Sequence, residues 1–327
     1  MEGLTKHFPV FGGIMRRRVA TVHAVDDVSL HIEKGEVLGI VGESGCGKST
    51  TARLLMHLVV PDKGRILFDG KTIGEGGELP IRAYRRQVQM VFQDSFGSLN
   101  PRMPLIDTIA YSPAMHGLSW EAARQRARLL LEQVGLDPAQ FGRRYPHELS
   151  GGQRQRGNLA RALALHPRLL ILDEAVSALD KSVEAQILNL LRALKSSLDL
   201  TYIFISHDLN VVEYISDRVM VMYLGCVVET GTVQELYNEP QHPYTRALLS
   251  AMPSFDPRKR TTEMPLSGDP ANPIDPPSGC RFRTRCPLAE AVCAERMPAL
   301  TAFAGRTTHR VACHATVAGS GHSRAAA

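Results

Sequence analysis

The chain has 327 residues, 44% of them hydrophobic and 22% charged, with a formal net charge of +5 and six cysteines. That length holds two domains or one large domain with an appendage, and a full core without disulfide staples; the ordinary balance of apolar and charged residues excludes disorder along most of it. No apolar run reaches the roughly 18–20 residues that span a bilayer, and Met1 to Lys6 lacks the apolar core of a secretory signal, so the chain reads as cytosolic.

Glu36-Val37-Leu38-Gly39-Ile40-Val41 is a short apolar run entering a glycine-rich turn, the pattern of a buried strand. Thr50 to Leu58 reads as a helix stopped near Pro61. A longer helical pattern runs from Trp120 to Val134, with Ala122, Leu129, Leu130 and Val134 as its apolar positions; Gly135 and Pro138 end it. Leu159 to Leu165 is a third helix, closed by Pro167. A strand at Leu169–Leu172, a helix from Val183 to Leu194 and a strand at Tyr202–Ile205 follow. This alternation predicts a largely parallel α/β sheet covered on both faces. Seven prolines between Pro253 and Gly279 exclude regular elements and predict a linker or an extended surface arm. The tail from Gly319 to Ala327 reads as disordered.

Gly42-Glu43-Ser44-Gly45-Cys46-Gly47-Lys48-Ser49 fits the phosphate-loop pattern G-x-x-x-x-G-K-S, directly after a strand and opening a helix. Its glycines let backbone N–H groups turn inward onto phosphate oxygens, and the helix N-terminus adds its positive dipole end. Lys48 is placed to reach the β- and γ-phosphates and the Ser49 hydroxyl to ligate magnesium. Downstream, the apolar strand Leu170-Ile171-Leu172 ends in Asp173 and Glu174. A strand ending at a phosphate site needs a carboxylate to hold magnesium through water, which suits Asp173. The acid beside it, Glu174, is placed to polarise the attacking water as a general base. Cys46, inside the loop, reads as a small filler. Arg16-Arg17-Arg18 is the one tight basic run near the start, and with 6% aromatic residues nothing points to a nucleic-acid partner.

Leu149-Ser150-Gly151-Gly152-Gln153, 20 residues before Asp173, resembles the signature of the ATP-binding cassette (ABC) ATPases. The resemblance implies an α/β, P-loop (RecA-like) nucleotide-binding domain with a helical subdomain at about 95–158, filling residues 1–240. A cysteine-containing C-terminal extension of the oligopeptide-transporter type occupies 241–327. It implies that Ser150, Gly151, Gly152 and Gln153 meet the nucleotide of an opposite protomer, so that two cassettes close face to face. Gln93, in Val91-Phe92-Gln93-Asp94, resembles the Q-loop glutamine that senses magnesium and water. The region around Gln93, Phe96 and Leu99 would couple to the membrane partner. Ser177-Ala178-Leu179-Asp180 is similar to the D-loop, His207 in Ser206-His207-Asp208 to the switch histidine on the γ-phosphate, and Phe8 to the aromatic that stacks on adenine. The implied nucleotide contacts are Phe8, Gly42 to Thr50, Gln93 and Asp173, with Ser49, Gln93 and Asp173 holding Mg2+. The implied catalytic groups are Lys48, Gln93, Glu174 and His207.

Ser98-Leu99-Asn100-Pro101-Arg102, His242-Pro243-Tyr244-Thr245 and Pro277-Ser278-Gly279-Cys280 narrow the resemblance to the ATPase subunits of dipeptide, oligopeptide and nickel importers, nearest the F-type subunit. Implied partners are a second ATPase subunit, two permease subunits at the cytoplasmic face of the membrane, and a substrate-binding protein acting through the permease. Peptide is the leading cargo, with nickel and glutathione as alternatives. The rival class is a soluble cassette ATPase acting on ribosomes or DNA; such proteins commonly carry two cassettes or a coiled-coil insertion, and neither occurs here. Three departures stand out: Ala175 replaces the usual proline after Glu174, Lys181 stands where an apolar residue is common, and the chain begins almost inside its first expected strand, which leaves the true start open.

Cys280, Cys286, Cys293 and Cys313 crowd the last fifth of the chain. They lack the short paired spacing of zinc sites, and their gaps match none of the common ferredoxin patterns. Arg281, Arg283, Arg285, Arg296, Arg306 and Arg310 lie among them, placed to offset thiolate charge. The importer resemblance implies a structural 4Fe–4S cluster on the four cysteines, with zinc or unmetallated thiols as alternatives and His309 and His314 as runner-up ligands.

Overall fold

A computed structural model describes residues 1–13, 17–74, 76–252 and 272–325. These gather into two compact units: Met1–Ile32, Leu38–Leu67 and His207–Ala327 form the first, Glu33–Val37 and Phe68–Ser206 the second.

In the first unit, β1 (Glu2–Gly12) and β2 (Arg17–Val28) form an antiparallel hairpin that the sequence reading had not placed. Bulges between Leu4 and His7 bring His7 opposite His23 and Phe8 opposite Val22. The strand expected at 36–41 is β3 (Val37–Val41), buried at every position, and it leads through the glycine-rich loop into α1 (Lys48–Leu55). That helix starts two residues earlier and ends three earlier than the apolar pattern suggested. β4 (Lys63–Phe68) then adds to β1. After α8 (Leu209–Ile215), β9 (Arg218–Tyr223) lies parallel to β3, with Val41 opposite Val221, and turns back into β10 (Cys226–Thr232). Two short helices follow, α9 (Val233–Asn238) and α10 (Pro243–Ser250), and later α11 (Ala291–Glu295). β11 (Thr301–Phe303) and β12 (Arg306–Val311) then extend the sheet from β10, with Glu229 opposite Val311.

The second unit is a three-stranded parallel sheet, β6 (Val88–Val91), β7 (Leu169–Asp173) and β8 (Thr201–Ile205), in the order β8-β7-β6. β7 and β8 are buried at all five positions each, as parallel strands covered on both faces are. β5 (Lys71–Ile73) and α2 (Ile81–Gln87) precede the sheet. Between β6 and β7 lie α3 (Leu105–Met115), α4 (Trp120–Gln133), α5 (Pro138–Phe141) and α6 (Gly151–Leu163); α3, α4 and α6 pack on one another, and Leu105, Ile109, Ala127, Leu131 and Leu159 are buried on them. The buried stripe of α4 is Ala123, Ala127, Leu130 and Leu131, while Ala122 and Leu129, expected inside, face solvent. α6 begins eight residues before the expected Leu159, and α7 runs over Lys181–Leu198, longer than the expected 183–194. Among the described residues no helix is long and apolar enough to cross a membrane.

Residues 253–271 of the proline-rich stretch and Arg16 of the basic run lie outside the described residues. The stretch re-emerges as an arm along β2: His23 N–H donates to the Pro273 carbonyl at 3.0 Å, and Ile274 bridges Val22. The tail is packed through residue 325 instead of disordered. Ser320 and His322 are buried, Arg296 donates to the Ser320 carbonyl at 2.6 Å, and the His322 ring nitrogen meets the Leu288 carbonyl at 2.8 Å.

Candidate active site

The loop between β3 and α1 has the backbone that its glycines permit. Gly42 and Gly47 take φ values of 150° and 108°; a Cβ on Gly47 would lie 2.2 Å from the Ala24 carbonyl oxygen, and one on Gly42 2.2 Å from that of Met222. Only glycine fits either place without a shift. Gly47 also stands at the N-cap of α1 and, as glycine, supplies no side-chain cap to that helix. Lys48 is buried, and its ammonium donates to the Gly42 and Glu43 carbonyls at 2.7 and 2.9 Å. Among the described residues it has no carboxylate partner, so a buried positive charge stands beside the glycine-rich backbone at the start of α1. That donor set fits a phosphate group. Cys46 is buried, and burial pushes its thiol up, as befits a filler beneath the loop. Ser44 and Gly45 are exposed; Ser49 and Thr50 are half-buried on the first turn of α1.

Glu43 is held from the far end of the chain, which no motif had signalled. The Tyr244 hydroxyl accepts from its N–H at 2.8 Å. Arg285, its side chain only 7% exposed, donates two parallel bonds to the Glu43 carboxylate at 2.8 and 3.1 Å. Arg281, similarly buried, donates to the Asp26 carboxylate and the Leu224 carbonyl. His7 and His23 lie beside the same Asp26, their ring centroids 4.0 Å apart and their planes tilted by 39°. Elsewhere in this unit Phe8 is 38% exposed on β1, with the Lys6 ammonium 5.6 Å from its ring centre. His207 is exposed directly ahead of Asp208, whose carboxylate caps α8.

In the second unit, Asp173 ends β7 and is buried, and the next residue, Glu174, turns out of the strand at φ 49°. Gln93 donates from its amide nitrogen to the Glu174 carboxylate at 2.8 Å, which brings together two residues 81 positions apart. Asn158 of α6 donates to the Ser95 carbonyl at 2.9 Å, anchoring the segment after Gln93, where Phe96 is exposed and Leu99 buried. Ser150 caps α6 in a capping box: its hydroxyl accepts from Gln153 N–H at 3.3 Å while the Gln153 side chain accepts from Ser150 N–H at 2.9 Å. This reciprocal pair explains why α6 starts within the signature. Gly151 and Gly152 form its first turn, and a Cβ on Gly152 would lie 2.6 Å from Val183 of α7. Asp180 is exposed at the N-terminus of α7, and Lys181, the departure beside it, forms a 2.9 Å ion pair with Glu184.

The cysteine region is built from protein–protein contacts. Cys280 N–H donates to the Cys293 carbonyl at 2.7 Å, and the Cys286 sulfur accepts from Leu288 N–H at 3.4 Å. Burial pushes the Cys280 thiol up to about 12 and that of Cys313 to about 11, and raises Cys286. Among the described residues no three of these sulfurs lie within 4.8 Å of one another. The interspersed arginines serve oxygen acceptors: besides Arg281 and Arg285, Arg283 donates to the Ser278 carbonyl, Arg296 to that of Ser320, Arg310 to that of Leu300, and Arg306 to the Glu239 carboxylate. Of the runner-up ligands, His309 meets the buried Glu229 carboxylate at 2.8 Å and His314 the Arg296 carbonyl at 2.9 Å.

Two family models match the chain: ABC transporter over residues 25–177, and oligopeptide/dipeptide transporter, C-terminal region, over residues 228–293. The oligopeptide transport ATP-binding protein AppF of Bacillus subtilis is 48% identical over 320 residues, 96% of each chain. OppF of Escherichia coli, with the same description, is 50% identical over 300 residues, 90% of this chain and 88% of its own. Among solved structures, the ATP-binding cassette MJ0796, a dimer in a post-hydrolysis state with ADP and Pi, shares 28% identity at a TM-score of 0.61, covering 71% of this chain and 97% of that one. The cbiO1 component of the cbiONQ transporter of Clostridium perfringens shares 29% at 0.60, over 73% and 92%. These matches overturn the iron–sulfur expectation at Cys280, Cys286, Cys293 and Cys313. The model that reaches this region is that of a transporter C-terminal region, and no cluster-binding family appears.

Proposed function

The chain belongs to the ABC transporter family, in its oligopeptide and dipeptide branch, and we propose that it hydrolyses ATP to drive peptide import through membrane-embedded permease subunits. The observation that carries the reading is the loop of Gly42 to Lys48, where a buried ammonium, without a carboxylate partner among the described residues, meets the N-terminus of a helix whose N-cap is glycine. Lys48 and the loop N–H groups bind the β- and γ-phosphates, and Phe8 stacks on the adenine. Ser49, Asp173 and Gln93 are the residues that would hold Mg2+, which would supply charge neutralisation to the phosphates. The α6 N-terminus of a second cassette, at Ser150, Gly151 and Gly152, closes over the γ-phosphate, with Gln153 bracing the cap and Asp180 crossing between the protomers. The dimeric MJ0796 cassette supports such an arrangement.

Glu174, oriented by its hydrogen bond from Gln93, takes the proton of the attacking water, and His207 stabilises the γ-phosphate. The exposed Phe96, three residues beyond Gln93, offers the contact to the permease. The cassette proper spans 1–240 and the transporter-type extension 241–327. The working complex pairs two ATPase subunits with two permeases at the cytoplasmic face, fed by a binding protein. Glu174→Gln tests this reading: the variant forms an ATP-loaded dimer, seen as a doubled mass on size exclusion with ATP, and turns over at under about 1% of the unaltered rate. Unaltered turnover refutes the assignment.

A further inference from the structure

We infer that Arg285 is a positioning residue for the phosphate loop: it neutralises Glu43 and holds that carboxylate away from the nucleotide's phosphates, so that ATP affinity depends on the cysteine-bearing C-terminal segment. The inference rests on the ATP reading of the loop.

Glu43 is the second residue of a loop that must accept a polyanion. Its own charge opposes that task. Left free, the carboxylate would cancel the single positive charge of Lys48 and repel the phosphates at close range. Arg285 removes this conflict with a bidentate pair at 2.8 and 3.1 Å, the planar fork matched to the carboxylate. Tyr244 meanwhile accepts from Glu43 N–H at 2.8 Å, so side chain and backbone of this loop residue are both tied to partners more than 200 positions away.

The segment that delivers Arg285 is firmly seated. Arg281 grips Asp26 and the Leu224 carbonyl, next to the Ala24 carbonyl and Gly225 that face Gly47. Between the two arginines, buried Phe282 packs edge-on against Tyr223 at 5.2 Å and 89°, and against Tyr244 at 5.4 Å. Two arginines four positions apart therefore hold the loop residue Glu43 on one side and the backing of Gly47 on the other. After Arg285 is spent on Glu43, the loop retains the net positive charge of Lys48.

The test measures steady-state ATP hydrolysis and displacement of a fluorescent ATP analogue in the full chain with its transporter partners. Arg285→Ala raises KM and the ATP dissociation constant about tenfold or more, with kcat at saturating ATP within about twofold. Arg285→Lys recovers part of the affinity, keeping the charge but losing the fork. Adding Glu43→Gln to Arg285→Ala brings KM back to within about threefold of the unaltered protein, because the repelling charge is gone. A mere staple predicts no such rescue: a double variant as weak as Arg285→Ala, or an unchanged KM in Arg285→Ala, overturns the inference. Thermal melts identify variants that do not fold, and Arg285→Gln with and without Glu43→Gln then makes the same comparison. Lys48→Ala separates the two levels. If it binds ATP normally, the ATP reading itself falls; if it loses ATP while Arg285→Ala does not, only this inference falls.

Discussion

Acidification from about pH 6.5 to pH 4 withdraws stability from the fold through His242, whose imidazole has nowhere to place a second proton. The residue is 1% exposed and caps α10, its Nδ1 accepting from Tyr244 N–H at 3.1 Å while its backbone N–H donates to the buried Glu229 carboxylate at 3.0 Å. Burial pushes the imidazole down to about 4 from the ordinary 6.5, with Glu229 pulling weakly the other way. Both states are neutral near pH 7. As pH falls, the unfolded chain takes up the proton first, and the folded chain resists until the lower value is reached. Stability is therefore full above about 6.5 and lost toward 4. At pH 5 the two values give a penalty of about 2 kcal/mol, or roughly 3 °C in Tm for a chain of this length. His242→Asn keeps an acceptor at the cap and removes the titration. Melting curves of both proteins at about pH 7.5 and pH 5 isolate the effect. His23 and His166, also lowered by burial, remain in both proteins and cancel. Equal acid shifts in the two proteins would refute the reasoning.

Two further outcomes follow from the loop and the thiols. Gly47→Ala forces a Cβ to 2.2 Å from the Ala24 carbonyl in a left-handed backbone, a strain of about 1–2 kcal/mol before the clash is counted, so ATP affinity falls at least tenfold in the analogue assay; affinity within about twofold of the unaltered protein would contradict the cradle. With thiols pushed up to about 11 at Cys226 and Cys313 and about 12 at Cys280, fewer than about one in a thousand of each is thiolate at pH 8. Ellman's reagent accordingly reacts slowly with the folded chain and rapidly with all six cysteines in denaturant; rapid labelling of any of these three in the folded chain counts against the buried-thiol description.

What was legible in the sequence is what local chemistry decides. The phosphate loop needs glycines at fixed offsets from its lysine, and β3, β7 and β8 are continuous apolar runs, so each shows itself within a few residues. α6 was read too short because apolar periodicity only begins at Leu159. Its first half is polar, yet Gln155 and Asn158 are buried, and a capping box, not an apolar stripe, sets its start. In α4 the stripe was misplaced by one residue at Ala122 and Leu129, since a leucine-rich helix end offers more apolar positions than the core takes up. The hairpin of β1 and β2 mixes charged, aromatic and bulged positions, and its register depends on cross-strand pairs that no period-2 pattern encodes.

The arginines of the C-terminal region show where proximity in sequence misleads. Six of them stand among four cysteines, and the ionisable neighbours of Arg281 and Arg285 in the sequence are the thiols of Cys280 and Cys286. In three dimensions, Arg281 and Arg285 find Asp26 and Glu43, 255 and 242 positions away. The pairing is decided by energy: a carboxylate is already ionised at neutral pH and matches the guanidinium fork, whereas a buried thiol must first lose a proton that its surroundings retain. Once the arginines are committed to the acids, little cationic charge is left to favour thiolates. The same pairing gives the phosphate loop its neutralised Glu43, so removing Arg285 acts first on ATP affinity.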